Sequence, residues 1–194
     1  MTKVAIVTGS NKGIGYAIVK GLSKIFDGDL YLTSRNEERG MAAVKALSKE
    51  GITVLYHQLD IGEEASVVKF AADMKEKYGG IDILVNNAGI AFKNDATDPI
   101  AVQAKVTLQT NYFDTKRACE HLFPLLRSGS RVVNVSSSCG YLGWIPGNVS
   151  TWILIPRSGY IWIFNKYPDF FRHFFKKPTL ILNLFITNFI LKWD

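Results

Sequence analysis

The chain is 194 residues long, 47% apolar and 21% charged, with a net charge of +6. That length suits one globular domain with a sizeable core, and that composition excludes a disordered or fibrous chain. The basic excess lies mainly at the end of the chain, since residues 1–148 carry 17 basic and 15 acidic side chains and residues 149–194 carry 6 and 2; no basic cluster interleaved with aromatics marks a nucleic-acid partner.

In chain order, the first element is the apolar run Val4-Ala5-Ile6-Val7, too short for a signal peptide and suited to a buried strand over Lys3–Thr8. Thr8-Gly9-Ser10-Asn11-Lys12-Gly13-Ile14-Gly15 follows, and then the amphipathic run Ile14–Ile25. A buried strand, a glycine-rich turn and a helix make the phosphate-binding corner of a dinucleotide fold. Gly9 permits the tight turn, Gly13 lets backbone approach a pyrophosphate, and Gly15 lets the helix pack on the strand. The helix N-terminus offers free N–H groups to the anion.

Further strands are expected at Asp29–Ser34, Thr53–Gln58, Ile83–Asn86 and Arg131–Val135, with helices near Glu37–Glu50, Glu63–Tyr78 and Ala101–Leu126. Alternating strands and helices predict an α/β fold, a Rossmann-like doubly wound parallel sheet of order 3-2-1-4-5. The ligand crevice then lies at the carboxyl ends of strands 1 and 4, where the order reverses. Arg35 ends strand 2, about 20 residues past Gly15, where an acid would select the ribose 2′-hydroxyl and an arginine accommodates a 2′-phosphate. With Lys12 in the glycine loop, this favours NADPH; the plainer alternative makes both ordinary surface charges. Asp60, after strand 3, has the alternative role of a turn or helix-cap residue. Two cysteines, Cys119 and Cys139, give no disulfide framework and fit a reduced, cytoplasmic setting. No metal is expected.

After Gly147 the composition changes. Residues 149–194 contain no alanine, glutamate or methionine and a single glycine, Gly159. Neither helical nor alternating periodicity is sustained, and Pro156, Pro168 and Pro178 interrupt it. The boundary therefore divides a domain over 1–147 from an irregular, aromatic-rich tail over 148–194, leaving the sheet truncated with strand 5 at its edge. Thr179–Leu191 is apolar but short of the roughly 20 residues of a spanning helix, so a membrane partner is not expected and an aggregation-prone segment is, with a membrane-tethered variant as the alternative. Val149-Ser150 is what the splice-donor hexamer GTAAGT encodes in frame, and an A/T-rich intron translated onward would yield such a tail; a genuine divergent tail is the rival reading.

Four motifs stand in order: Thr8-Gly9…Gly13-x-Gly15, Asn86-Asn87-Ala88-Gly89, Asn111 in a helical stretch, and Asn134-Val135-Ser136-Ser137 ending a strand. Over residues 1–147 they resemble the short-chain dehydrogenase/reductase family. Within it, Gly9–Gly15, His57–Ile61, Tyr78–Lys93 and Arg131–Ser137 look most like the monomeric NADPH-dependent carbonyl reductases. The resemblance implies that Gly9, Asn11, Lys12, Gly13, Ile14, Gly15, Arg35, Asp60, Ile61, Asn87, Ala88 and Gly89 bind NADPH, with Asp60 at the adenine. It implies that Ser137 hydrogen-bonds the substrate carbonyl and that Asn111 holds a helix kink and a water in a proton relay. The implied substrate is a small carbonyl compound and the implied state a monomer. The family's proton donor, a Tyr in Y-x-x-x-K after the Ser strand, has no match. Tyr16…Lys20 and Tyr112…Lys116 precede Ser137 and are taken as coincidence, while Tyr141, Tyr160 and Tyr167 are followed four residues on by Ile145, Phe164 and Phe171.

Overall fold

Val4–Val7 form β1, and all four residues are buried. Three of them are β-branched and none is polar, as suits a central parallel strand covered on both faces. The computed structural model describes residues 1–137 and 180–186. Within them follow α1 (Gly13–Leu22), β2 (Asp29–Ser34), α2 (Glu37–Lys49), β3 (Leu55–Gln58), α3 (Glu64–Tyr78) and β4 (Ile81–Asn86). The α2 start obeys capping chemistry. The Asn36 Oδ1 accepts the Arg39 N–H at 2.8 Å, and Glu37 and Glu38 sit at the positive end of the helix dipole.

The strand pairings are all parallel, in the order β3-β2-β1-β4-β5-β6. This is the expected 3-2-1-4-5 order with one strand added. The core has two layers, one on each side of the sheet. Val19, Ala43 and Leu47 of α1 and α2 pack on Val7, Leu32 and Val85. Phe70 and Met74 of α3 pack with Cys119 and Leu122 on Ile6, Leu84 and Val132 on the other side.

A polar network closes the amino ends of the strands. Tyr78 Oη donates to Asp29 Oδ2 at 2.5 Å and meets Tyr31 Oη at 3.0 Å, to which Lys77 Nζ donates at 3.0 Å. Burial, then the Asp29 contact, push the Tyr78 phenol up. Arg127 Nη1 donates to Asp82 Oδ2 at 2.6 Å, and the same oxygen accepts the Val4 N–H at 2.8 Å. With this edge tied, the opposite edge carries the open turns.

Three features differ from the sequence expectation. First, the single helix expected over Ala101–Leu126 is broken: α4 (Ile100–Leu108), a π-helical turn (Gln109–Asp114), α5 (Thr115–Leu122) and a 3₁₀ turn (Phe123–Leu125) replace it. Second, β5 runs Leu126–Ser137 rather than beginning at Arg131, because its first residues pair across a register shift: Leu126 opposes Ile81 and Arg131 opposes Ile83. Third, the tail is not wholly irregular. Leu180–Ile186 form β6, pairing with β5 from Arg131↔Leu180 to Ser137↔Ile186. Its apolar sequence suits a parallel strand better than an alternating one, and with it β5 is interior to the sheet. The Asn86↔Asn134 pair thereby extends to Asn183 in register. The Gly147 boundary, Cys139, Tyr141, Tyr160 and Tyr167 lie outside the described residues, as does most of the tail.

Candidate cofactor and active site

The turns that follow β1, β2, β3 and β4 all open at one edge of the sheet, because the strands are parallel. That edge brings together Gly9–Gly15, Arg35, Asp60 with Ile61, Asn87–Gly89 and Ser137.

The β1–α1 turn is the anion end. Lys12 caps α1 with extended backbone and no side-chain cap bond, so the first N–H groups of the helix have no side chain folded over them. Gly13 has φ +58°, and no atom lies within 4 Å of where a Cβ would stand, which leaves open space at the helix start. Gly15 is the opposite case. A Cβ there would fall 2.4 Å from Asn87 Nδ2 and 2.8 Å from Gly9 O. Only glycine lets α1 approach the β4 turn this closely. Asn11 is half-buried in this turn, and Lys12, Ile14 and Arg35 are exposed around it.

Two side chains without a role in the sequence reading hold this corner. Thr8 Oγ1 accepts the N–H of Asn87 at 3.0 Å and of Ala88 at 2.9 Å, and donates to Val85 O at 3.3 Å. Ser10, fully buried, donates through Oγ to Val7 O at 2.7 Å and accepts the Thr33 N–H at 3.0 Å. Their signal in the sequence was only a small polar residue within three positions of a buried strand's end. Asn87 completes the junction. Its Nδ2 donates to Thr8 O at 2.8 Å and Gly9 O at 3.0 Å. One threonine and one asparagine thus fasten the β4 turn to the glycine turn.

Asp60 is a turn residue here: its Oδ1 accepts the Gly62 N–H at 2.9 Å, and its own N–H donates to Ser66 Oγ at 3.0 Å. The cap of α3 is Glu63 instead. Asp60 is half-buried at the end of β3 and Ile61 is buried.

On the other flank, Ser137 is the exposed last residue of β5, beside half-buried Ser136. Asn111 lies in the π-helical turn. Its Nδ2 donates to Ile90 O and its Oδ1 accepts the Ile90 N–H, both at 2.8 Å. The amide is therefore a clamp on the segment just past Gly89. Beneath it, Asn86 Nδ2 donates to Asn134 Oδ1 at 2.8 Å and reaches Cys119 Sγ at 3.4 Å. Burial pushes the Cys119 thiol up to about 12, so it is an inert core group.

In both Tyr-x-x-x-Lys matches the lysine has a glutamate partner. Lys20 pairs with Glu50, and Lys116 donates to Glu120 at 2.5 Å. Among the described residues no group of His, Cys, Asp and Glu could hold a metal, and no helix is long and apolar enough to cross a membrane.

A family model for short chain dehydrogenases matches residues 3–149. Carbonyl reductase (NADPH) 1 of Bos taurus is 52% identical over 134 residues, which cover 69% of this chain and 48% of that protein. Carbonyl reductase (NADPH) 3 of Rattus norvegicus is 50% identical over 139 residues, 72% of this chain and 50% of that one. Among solved structures, menthone neomenthol reductase from Mentha piperita superposes with a TM-score of 0.70 at 29% identity, covering 89% of this chain and 75% of that one. Salutaridine reductase from Papaver somniferum gives 0.69 at 33% identity, covering 78% and 63%. The chain spans about half the length of the curated relatives it matches. It belongs to the short-chain dehydrogenase family.

Proposed function

From that membership, we propose that the chain binds NADPH along the carboxyl edge of its sheet and forms the cofactor-holding portion of a carbonyl reductase. The observation that carries this reading is the convergence on one edge of an open helix start, Lys12, Arg35, the Asn87–Gly89 turn and Ser137. The site's chemistry fits the group. The backbone N–H groups at Gly13–Gly15 suit a pyrophosphate, and two exposed cations suit a 2′-phosphate. NADPH, when bound, supplies the hydride that turns a ketone, quinone or aldehyde into an alcohol. Ser137 would donate its hydroxyl to the substrate oxygen and stabilise negative charge there. Asn111, through Ile90, would hold the β4 turn against the reacting end. A cytoplasmic, monomeric protein acting on a small carbonyl compound completes the reading. Residues 1–147 are its NADP-binding unit, and residues 148–194 are either translated intron or a genuine divergent tail.

A second reading is a non-catalytic NADPH-binding product. It is favoured by the sequence after Ser137, where no tyrosine is followed four residues on by lysine. A correctly placed general acid contributes about 10²–10⁴-fold.

Purified chain titrated with NADPH, and then assayed for NADPH oxidation with a reactive quinone, tests both readings. Binding is expected, with turnover at least about a hundredfold below that of a full-length relative. Absence of binding would sink both. Near-family turnover that collapses in Tyr141→Phe or Tyr160→Phe would reject the non-catalytic reading and identify another acid.

A further inference from the structure

Arg117 lies on α5, far from the glycine turn in sequence, and its guanidinium reaches the turn after β3. Its Nη2 donates to Ile61 O at 2.8 Å, to Gly62 O at 2.7 Å and to Asp114 Oδ1 at 2.8 Å. Asp114 is 5% exposed. The same Oδ1 accepts from Gln109 Nε2 at 2.9 Å, one π-helical turn back. The partnership runs deeper than one ion pair. A Cβ on Gly62 would lie 3.2 Å from Asp60 Oδ1 and 3.5 Å from Asp114 Oδ2, so two carboxylates converge on that glycine. Arg117 supplies a positive charge to Asp114 and a donor for the two carbonyls of the turn. Its Nε is buried with no partner among the described residues, so its hold on the turn runs through the single terminal nitrogen.

The place of this clamp gives it a role. Ligands of such a sheet lie outside the carboxyl ends of the strands, with the pyrophosphate at the first turn and the ribose group at the end of β2. The next position outward is the end of β3, where Asp60 and Ile61 stand. Within the same π-helical turn, Asn111 holds Ile90. One irregular turn thus braces loops on both halves of the crevice.

We infer that Arg117, held by Asp114, is a positioning residue for the adenosine half of the cofactor site, fixing the Asp60–Gly62 turn in its binding shape. This rests on the NADPH reading above. Arg117 touches the turn, and the turn would touch the ligand, so a change at Arg117 acts on adenosine affinity through backbone geometry.

The test uses the full chain and adenosine 2′,5′-bisphosphate, which carries only the adenosine end of NADPH. Calorimetric titration is expected to show about tenfold weaker binding in Arg117→Ala. Arg117→Lys should recover part of the loss, because an ammonium offers donors to the same acceptors on a shorter stem. If Arg117→Ala does not fold, the Lys variant alone decides. A lower melting temperature with unchanged fragment affinity in the soluble variants would overturn the inference and leave a merely structural clamp. Failure of the unaltered chain to bind the fragment would overturn the cofactor reading and this inference with it.

Discussion

The two flanks of the sheet are fastened differently. On the β1–β2–β3 flank the turns are tied mainly by backbone groups of neighbouring strands: the Ser10 N–H donates to Thr33 O at 2.8 Å and the Leu59 N–H to Ser34 O at 3.0 Å. On the β4–β5–β6 flank the ties are side chains from elsewhere: Asn111 on Ile90, Asn86 on Asn134, and a strand that returns at residue 180. The first flank is made of βα units that carry most of their own instructions, the Arg117 clamp on the β3 turn being the exception. The second is assembled from pieces that must find one another. In the function proposed above, the first would present the anion and adenosine side and the second the reacting side.

The strongest way to break that contrast is at the cations. Lys12→Ala with Arg35→Ala should weaken NADPH about a hundredfold while NADH changes little, each exposed charge contributing at the low end of about 1.5–3 kcal/mol. Equal losses for the two cofactors in calorimetric titration would remove the 2′-phosphate assignment from this flank. A smaller effect is expected at the junction of the flanks. Thr8→Val keeps the shape and deletes the acceptor of two N–H groups, destabilising the chain by about 1–2 kcal/mol. Urea denaturation would show a lower midpoint at unchanged m-value; an unchanged midpoint would mean the flanks do not depend on that hydroxyl.

The smallest effect sharpens the second flank through pH. The Cys119 thiol has an ordinary value of 9.0 and is raised in the fold to about 12 by burial. The unfolded chain therefore releases this proton first, and the stabilisation present below pH 9 is lost as pH rises toward 12. Between pH 9 and 10 the thiol alone accounts for a loss of about 1 kcal/mol, and the raised Tyr78 phenol adds to the loss in the unaltered and Cys119→Ala chains alike. Cys119→Ala should lower the baseline and flatten that slope. Equal slopes in the two proteins would show that the thiol is not protected.

The first flank was nearly all legible in the sequence. Val4–Val7, the glycine turn and the helix start at Glu37 are local patterns, and each appears within a residue or two of its expected place. The second flank was legible only in its motifs. The break at Gln109–Asp114 leaves no compositional trace, because a π-helical turn uses the same residue types as the helix around it. The early start of β5 depends on a register shift against β4. β6 was visible as an apolar run, yet nothing in a seven-residue run states which edge it will join. Thr8 was quoted in a motif without a role, since its partners lie 79 and 80 residues away.

The π-helical turn also determines what kinds of sequence change this region tolerates. Relative to a regular helix the segment holds one residue in excess, and successive helical residues are about 100° apart around the axis. Asp114 and Arg117, three residues apart, meet as on any helix, but the angle between that pair and Asn111 on Ile90 depends on the extra residue. Substitution at an exposed position such as Phe113 leaves this geometry alone. Deletion of any one residue from 109–114 would let the helix run through unbroken and turn α4 relative to α5, so that the two clamps could no longer be made together. Length, more than composition, is the quantity this stretch must conserve.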